Sequence, residues 1–95
     1  MSIKYGSVEL EGPFSLLDQL KDAPGVFALL CLDPESGSFQ LLEVRTAALV
    51  QREVAESLRE VWTEVCKGKL RVAAVYGEHQ LDQIKLQILQ ANALR

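Results

Sequence analysis

Four segments of the chain have the hydrophobic pattern of β-strands. They are residues 3–10, 26–32, 39–44 and 69–76. The second of these segments, Val26 to Leu32, is an unbroken run of seven apolar residues, so both of its alternating faces are apolar. Such a strand needs cover on both sides. We therefore expect it at the centre of a sheet.

Turn-forming residues separate these segments. Gly6-Ser7 shifts the alternation within residues 3–10, which predicts a bulge in a bent edge strand, and Gly12-Pro13 is expected to end it. Pro24-Gly25 changes the chain direction before the central strand. The loop Asp33 to Ser38 contains Pro and Gly and predicts an antiparallel hairpin between residues 26–32 and 39–44.

Spacings of three and four between apolar residues predict three helices. The first is short and runs from Phe14 to about Asp22, where Pro24 stops it. The second begins after Thr46 as a cap and reaches Gly68 as a C-terminal glycine, with Trp62 on its core face. The third covers residues 80–94. Its Leu86 and Leu89 form a second apolar strip, which we expect to contact the first helix or another subunit.

The predicted order is β-α-β-β-α-β-α, which defines an α+β fold with a small mixed or antiparallel sheet flanked by helices. At 95 residues the chain is long enough for one domain and too short for two, so residues 1–95 are taken as a single domain. No linker composition and no internal repeat divide it.

The composition is that of an ordinary globular protein, with 48% apolar and 24% charged residues. No apolar run approaches the roughly 18 residues that a membrane-spanning helix needs, and the N-terminus lacks the apolar core of a signal peptide. The sequence therefore predicts a soluble, cytoplasmic protein. Cys31 and Cys66 have no further ligand at metal spacing, so we expect buried free thiols, with a disulfide or a reactive thiol as the alternatives.

The net charge is −3, and it is unevenly distributed. Residues 1–44 contain two basic and seven acidic side chains, whereas residues 45–71 contain six basic side chains interleaved with four acidic ones. Interleaved charges are typical of a solvated helix face, and an acidic chain repels phosphate. A protein partner is favoured over nucleic acid, with self-association through the C-terminal helix as one form of it.

The central strand and its surroundings carry a family resemblance. Pro24-Gly25-Val26-Phe27 precedes the predicted hairpin, and the next helix carries Arg52. This arrangement resembles the core of the GIY-YIG nuclease superfamily, in which a Gly-Ile/Val-Tyr strand pairs with a Tyr-Ile/Val-Gly strand and an arginine follows on a helix. Leu42-Glu43-Val44 stands at the second motif. The resemblance covers residues 24–95, and residues 1–22 form an appended strand and short helix.

The departures from the family fall on its chemistry. Hydrolysis in that family needs a tyrosine that helps to activate water, an arginine that stabilises phosphoryl charge and a glutamate that holds a divalent metal. Phe27 and Leu42 have no hydroxyl, and Val44 replaces the second glycine. The last helix offers only Asp82 as an anion near the expected glutamate position. We therefore assign no catalytic residue, no metal ligand and no cofactor.

Three functional interpretations follow. The leading one is a GIY-YIG-like domain without nuclease activity that serves in protein interaction or assembly. The second is a divergent nuclease in which Tyr5 or Tyr76 replaces the missing tyrosines and Glu78 binds metal. Glu78 and His79 are more typical of a solvated turn. The third is a ferredoxin-like sandwich acting as a regulatory or interaction module, in which residues 3–10 would pair beside residues 39–44.

Arg52 is the only residue to which the resemblance gives a nucleic-acid or phosphate-binding role. The competing interpretation is a surface arginine off the apolar stripe of its helix. Glu56 lies four residues later, within reach of an ion pair worth at most about half a kcal/mol.

Overall fold

The computed structural model describes residues 2–58, 66 and 68–93. Its elements in chain order are β1 (Ser2–Tyr5), β2 (Val8–Phe14), a 3₁₀ turn (Leu17–Gln19), β3 (Gly25–Leu32), β4 (Phe39–Ala47), α1 (Val50–Ser57), β5 (Lys69–Tyr76) and α2 (Leu81–Ala93).

The five strands form one sheet in the order β1-β2-β5-β3-β4, and every neighbouring pair is antiparallel. Two hairpins, β1–β2 and β3–β4, supply four of the strands, and β5 inserts between them. Phe27 of β3 thus has Arg45 of β4 on one side and Ala74 of β5 on the other. The α+β class predicted from the sequence is confirmed.

Within the described residues, each face of the sheet carries one helix and its own hydrophobic core. The α2-face core is built from side chains of every strand and from Ile88 of α2; its fully buried members are Tyr5, Leu10, Val26, Ala28, Leu30, Ala73 and Ile88. The α1-face core contains Phe27 and Leu29 from β3 with Val50 and Val54 from α1. The sheet is therefore the middle of three layers.

The strand predicted at the centre of the sheet is β3, which lies inside the sheet between β4 and β5, whereas the central position is taken by β5. The β3 residues from Val26 to Leu30 are completely buried, and they alternate between the two cores. Complete burial of a leucine contributes about 1.5–3 kcal/mol. The hairpin across Asp33 to Ser38 is confirmed as well.

The prediction of one bent strand over residues 3–10 is wrong. Gly6 and Ser7 form a two-residue turn between β1 and β2, so the change of phase marks a hairpin rather than a bulge. Gly6 has φ +62°, a left-handed conformation that favours glycine in such turns. Gly12-Pro13 does not end the strand either, because β2 continues to Phe14 and pairs with β5.

The helix predicted from Phe14 to Asp22 is reduced to the single 3₁₀ turn at Leu17–Gln19. Phe14 belongs to β2. The turn is closed by Gln19, whose side-chain oxygen accepts a hydrogen bond from the Leu16 N–H at 3.0 Å. Leu17 and Leu20 still face the α1-face core, so the apolar spacing identified the buried side chains but not the conformation.

The second helix begins three residues later than predicted. Thr46 lies in β4, which extends to Ala47, and α1 starts at Val50. Trp62 and the second half of the predicted helix lie outside the described residues. Gly68 is not a helix C-terminal glycine, since Cys66 is not helical. It lies against β3, where a Cβ atom would be 2.0 Å from the Leu32 carbonyl oxygen.

The expectation of free thiols is wrong as well. Cys31 of β3 and Cys66 form a disulfide, with their Cα atoms 5.7 Å apart. Both residues are buried. Disulfides are rare in reducing compartments, so this bond counts against the cytoplasmic location expected from the sequence.

The pairing expected for a ferredoxin-like sandwich is not observed. Among the described residues β4 pairs with β3 alone, while the first hairpin joins the sheet through β2 and β5. The helices α1 and α2 also cover opposite faces of the sheet. No helix of the described part of the chain is long and apolar enough to cross a membrane.

We expect loss of the disulfide to destabilise the fold. The bond closes a loop with a sequence separation of 35, and in the chain-entropy model a loop of this length is worth about 3–4 kcal/mol. Chemical denaturation should show this loss for the Cys66→Ala variant and for the wild type in dithiothreitol. The reductant should not destabilise Cys66→Ala further. An unchanged wild-type midpoint under reduction would contradict the prediction.

Candidate functional site

The first motif of the family resemblance lies at the start of β3, between two neighbouring strands. Gly25 pairs with Ala47 of β4 and with Tyr76 of β5. A Cβ atom on Gly25 would lie 2.3 Å from the Val75 carbonyl oxygen, closer than any side chain can approach. The glycine is therefore required by the close approach of β5.

The remaining motif positions are core positions. Val26 and Phe27 are fully buried and face the α2-face and α1-face cores respectively. At the second motif, Leu42 packs against the α1-face core and Val44 lies in the α2-face core. These apolar side chains stabilise the fold and offer no group for acid–base chemistry.

Arg52 lies on the outer side of α1 and is largely exposed. Its side chain is 75% accessible, and its Nε lies 3.0 Å from Oδ2 of Asp22. The structure thus joins Arg52 to Asp22, whereas the sequence suggested Glu56. An exposed ion pair of this kind contributes at most about 1 kcal/mol. This ion pair connects α1 to residues 17–24, hereafter the 17–24 segment.

Further hydrogen bonds attach the 17–24 segment to α1. The Gln51 side-chain amide donates to the carbonyl oxygens of Leu17 and Leu20, each at 3.2 Å. The Val50 N–H donates to the Ala23 carbonyl oxygen at 3.0 Å. This last bond satisfies one of the free N–H groups at the start of α1, which has no side-chain cap. Sequence reasoning missed Gln51, because its partners are backbone atoms more than 30 residues away.

The same segment is attached to the end of β5. The Tyr76 hydroxyl accepts a hydrogen bond from the Lys21 N–H at 2.9 Å, and the Lys21 ammonium lies 5.2 Å from the centre of the Tyr76 ring. The Gly77 N–H donates to the Pro24 carbonyl oxygen at 2.9 Å. Tyr76, which was considered as a replacement for a catalytic tyrosine, therefore holds the 17–24 segment against the sheet.

The residues of the divergent-nuclease interpretation do not converge. Arg52 lines a hollow on α1 together with Glu53 and Glu56, and Glu78 lines another with Thr46 and Ala47. Tyr76 lines a third hollow beside β2, with Lys21 and Glu9. Tyr5 is buried in the α2-face core, on the other side of the sheet from α1.

No group of three His, Cys, Asp or Glu side chains with the geometry of a metal site occurs among the described residues. His79 and Glu78 are exposed beside the start of α2, and Asp82 is exposed in its first turn.

A polar cluster on the α1 face was not found from the sequence. Arg45 forms an ion pair through its Nε with Glu43, two residues away on β4. Its Nη1 also lies 3.3 Å from the hydroxyl of Ser57, which is completely buried on α1. Glu43 Oε2 is buried and has no hydrogen-bond donor among the described residues. Residues 43 and 45 share a face of the strand, but only the fold shows that this face meets α1.

The loop between β3 and β4 borders a hollow of about 520 Å³ next to the disulfide, with both polar and apolar side chains in its walls. The Asp33 carboxylate accepts hydrogen bonds from the Glu35 N–H at 3.0 Å and from the Ser36 hydroxyl at 2.9 Å. These bonds, that of the Glu35 N–H first, hold the pKa of Asp33 below its usual value. Their geometry is that of an Asx turn, which orders the hairpin loop.

A smaller hollow of about 210 Å³ lies between the 3₁₀ turn, α1 and β5. Its walls are mostly aliphatic and aromatic, and they include Leu16, which is 61% exposed. Arg71 stands at its edge, with Nη1 donating to the Leu70 carbonyl oxygen at 2.8 Å. Leu58 also lines this hollow.

Comparisons of this chain with protein-family models, with curated proteins and with solved structures find no match.

The structural role of the motif glycine can be tested with a matched pair of substitutions. Gly25→Ala forces β3 and β5 apart and should cost about 1–3 kcal/mol of unfolding free energy. Gly77→Ala places its Cβ in open space and should change stability by less than about 0.5 kcal/mol. Thermal and urea denaturation measure both. Equal stability of the two variants would show that β5 does not constrain Gly25.

Proposed function

We propose that the protein is a GIY-YIG-like domain without nuclease activity, and that it acts in protein interaction or assembly through the outer face of α2. The motif residues serve packing, and α2 exposes apolar surface that a folded chain normally covers.

The order of elements supports the relationship to the nuclease fold. β3, which starts with the first motif, pairs with β4, which carries Leu42-Glu43-Val44, and α1 with Arg52 follows. The strand β5 and the helix α2 complete the order that the resemblance implies. The first hairpin is an addition to that core, joined to it through β5.

The chemistry of the motif positions supports the absence of catalysis. Phe27 is fully buried, Gly25 is needed for strand contact, and Arg52 is paired with Asp22. A nuclease needs a positively charged group directed at the scissile phosphate and a nearby proton acceptor. The acid-rich surroundings of Arg52, with Glu53 and Glu56 lining the same hollow, disfavour phosphate.

The observation that carries the interaction role is a pair of exposed leucines on α2. Leu86 and Leu89 lie one turn apart and are 54% and 41% exposed, while Ile88 fills the core on the inner side of the helix. Neighbouring exposed leucines on one helix face are typical of a contact surface. A second copy of the chain is the partner that the sequence suggested.

The absence of nuclease activity is tested by incubation with Mg²⁺ or Mn²⁺ and single-stranded, duplex or branched DNA, or RNA. We expect no metal-dependent cleavage, since the chain lacks the tyrosine hydroxyls and the metal-binding glutamate of the family. Wild type and Arg52→Ala, prepared identically, should give the same background. Reproducible cleavage that is lost in Arg52→Ala would overturn the proposal and favour the divergent nuclease.

The assembly role is tested by sedimentation of two variants with the same change in charge. Leu86→Lys/Leu89→Lys should weaken self-association at least about tenfold, because each lysine removes apolar area from the contact. Gln83→Lys/Gln90→Lys alters two exposed polar positions of the same helix and should associate as the wild type does. If both variants keep the wild-type mass, α2 is not the contact surface.

A further inference from the structure

We propose a second contact, independent of α2, in which the outer edge of β4 pairs antiparallel with β4 of a second copy. In this arrangement Val44 lies opposite its own copy on a two-fold axis. Glu43 of each chain then faces Arg45 of the other, and two five-stranded sheets join into one.

The first observation is the free edge. β4 is nine residues long and lies at the end of the sheet, and within the described residues it pairs with β3 alone. Its outward N–H and C=O groups can form a ladder with another strand. Phe39, Leu41 and Leu42 along this strand are only half-buried, so the edge also offers apolar surface.

The second observation is charge complementarity, which selects a single register. Directly opposed residues of antiparallel strands lie on the same face of the sheet. The two-fold axis must therefore pass through a residue that lies opposite its own copy, and neighbouring registers move this axis by one residue along β4. An axis through Glu43 would oppose two carboxylates, and an axis through Arg45 would oppose two guanidinium groups. Only an axis through Val44 opposes unlike charges, and it does so twice.

The third observation is the incomplete hydrogen bonding of the Glu43 carboxylate. Its side chain is 19% exposed, and its Oε2 is buried without a donor among the described residues, although its Oε1 is paired with Arg45. A buried carboxylate oxygen without a donor is costly. Arg45 is 35% exposed, and its guanidinium has five donors in a planar fork. In the proposed register it reaches across the edge toward Glu43 of the second copy.

A different interpretation of the same residues is a protected edge. Bulges and charges that face the sheet are devices by which edge strands avoid pairing, and β4 has a bulge at Leu42. The two interpretations predict opposite association behaviour, so one experiment decides between them.

The experiment uses Glu43→Arg and Arg45→Glu, each made in the Leu86→Lys/Leu89→Lys background so that any contact through α2 is removed. Each variant alone opposes like charges, and by sedimentation equilibrium each should associate at least about tenfold more weakly than the background protein. Mixed in equal amounts, the two variants present unlike charges again and should associate with each other. Restoration on mixing cannot result from a folding defect of either variant.

Amide hydrogen exchange on the unsubstituted chain provides a second measurement that needs no variant. Residues 42–46 should gain protection as protein concentration rises, since their outward N–H groups become hydrogen-bonded. No gain in protection, or no association in the mixture beyond that of the separate variants, would overturn the proposal and identify a protected edge. The α2 contact is tested separately, by comparing the self-association of the wild type with that of the Leu86→Lys/Leu89→Lys protein, in which β4 is unchanged.

Discussion

The antiparallel pairing of β3 with β5 is the interaction on which the other contacts depend. It extends over the full length of both strands, from Gly25 opposite Tyr76 to Leu32 opposite Lys69. Because β5 follows both hairpins in the chain, its insertion joins two units that form from local contacts. The pairing needs a close backbone approach at Gly25 and at Gly68, where a side chain would collide with carbonyl oxygens of the neighbouring strand.

The two ends of this strand pair are stabilised differently. At one end the disulfide attaches Cys66 to β3 just before β5 begins. At the other end the 17–24 segment lies against the last residues of β5, through the Tyr76 hydroxyl, and against α1, through Gln51 and Arg52. The positions that resemble nuclease motifs therefore belong to the support of the central strands.

The surface that remains available for function lies outside the β3–β5 pair and the contacts that support it. Leu86 and Leu89 project from α2, and β4 presents its edge. Both features suit protein contacts more than small-molecule chemistry, because the one is apolar and the other offers backbone hydrogen bonds. The acidic net charge of −3 agrees with protein partners.

Local pattern alone determined β3, the β3–β4 hairpin, β5 and α2, because an unbroken apolar run, a Pro- and Gly-containing loop and a sustained helical spacing each restrict the chain to one conformation. It also identified Phe14, Leu17 and Leu20 as side chains of the α1-face core, although Leu16 beside them is exposed. Tertiary structure decided the conformation of residues 14–20, since Phe14 lies in β2 and pairs with Val72 of β5 instead of starting a helix.

Only the tertiary structure decided the disulfide, the partner of Arg52 and the Glu43–Arg45–Ser57 cluster. Each joins residues that are distant in sequence or lie on faces whose burial depends on strand order. The insertion of β5 between the two hairpins sets that order, and no local pattern encodes it. The sequence by itself therefore determined most of the elements and the buried interior strand β3, while the fold decided which charges meet and which strand lies at the edge among the described residues, because those depend on long-range pairing.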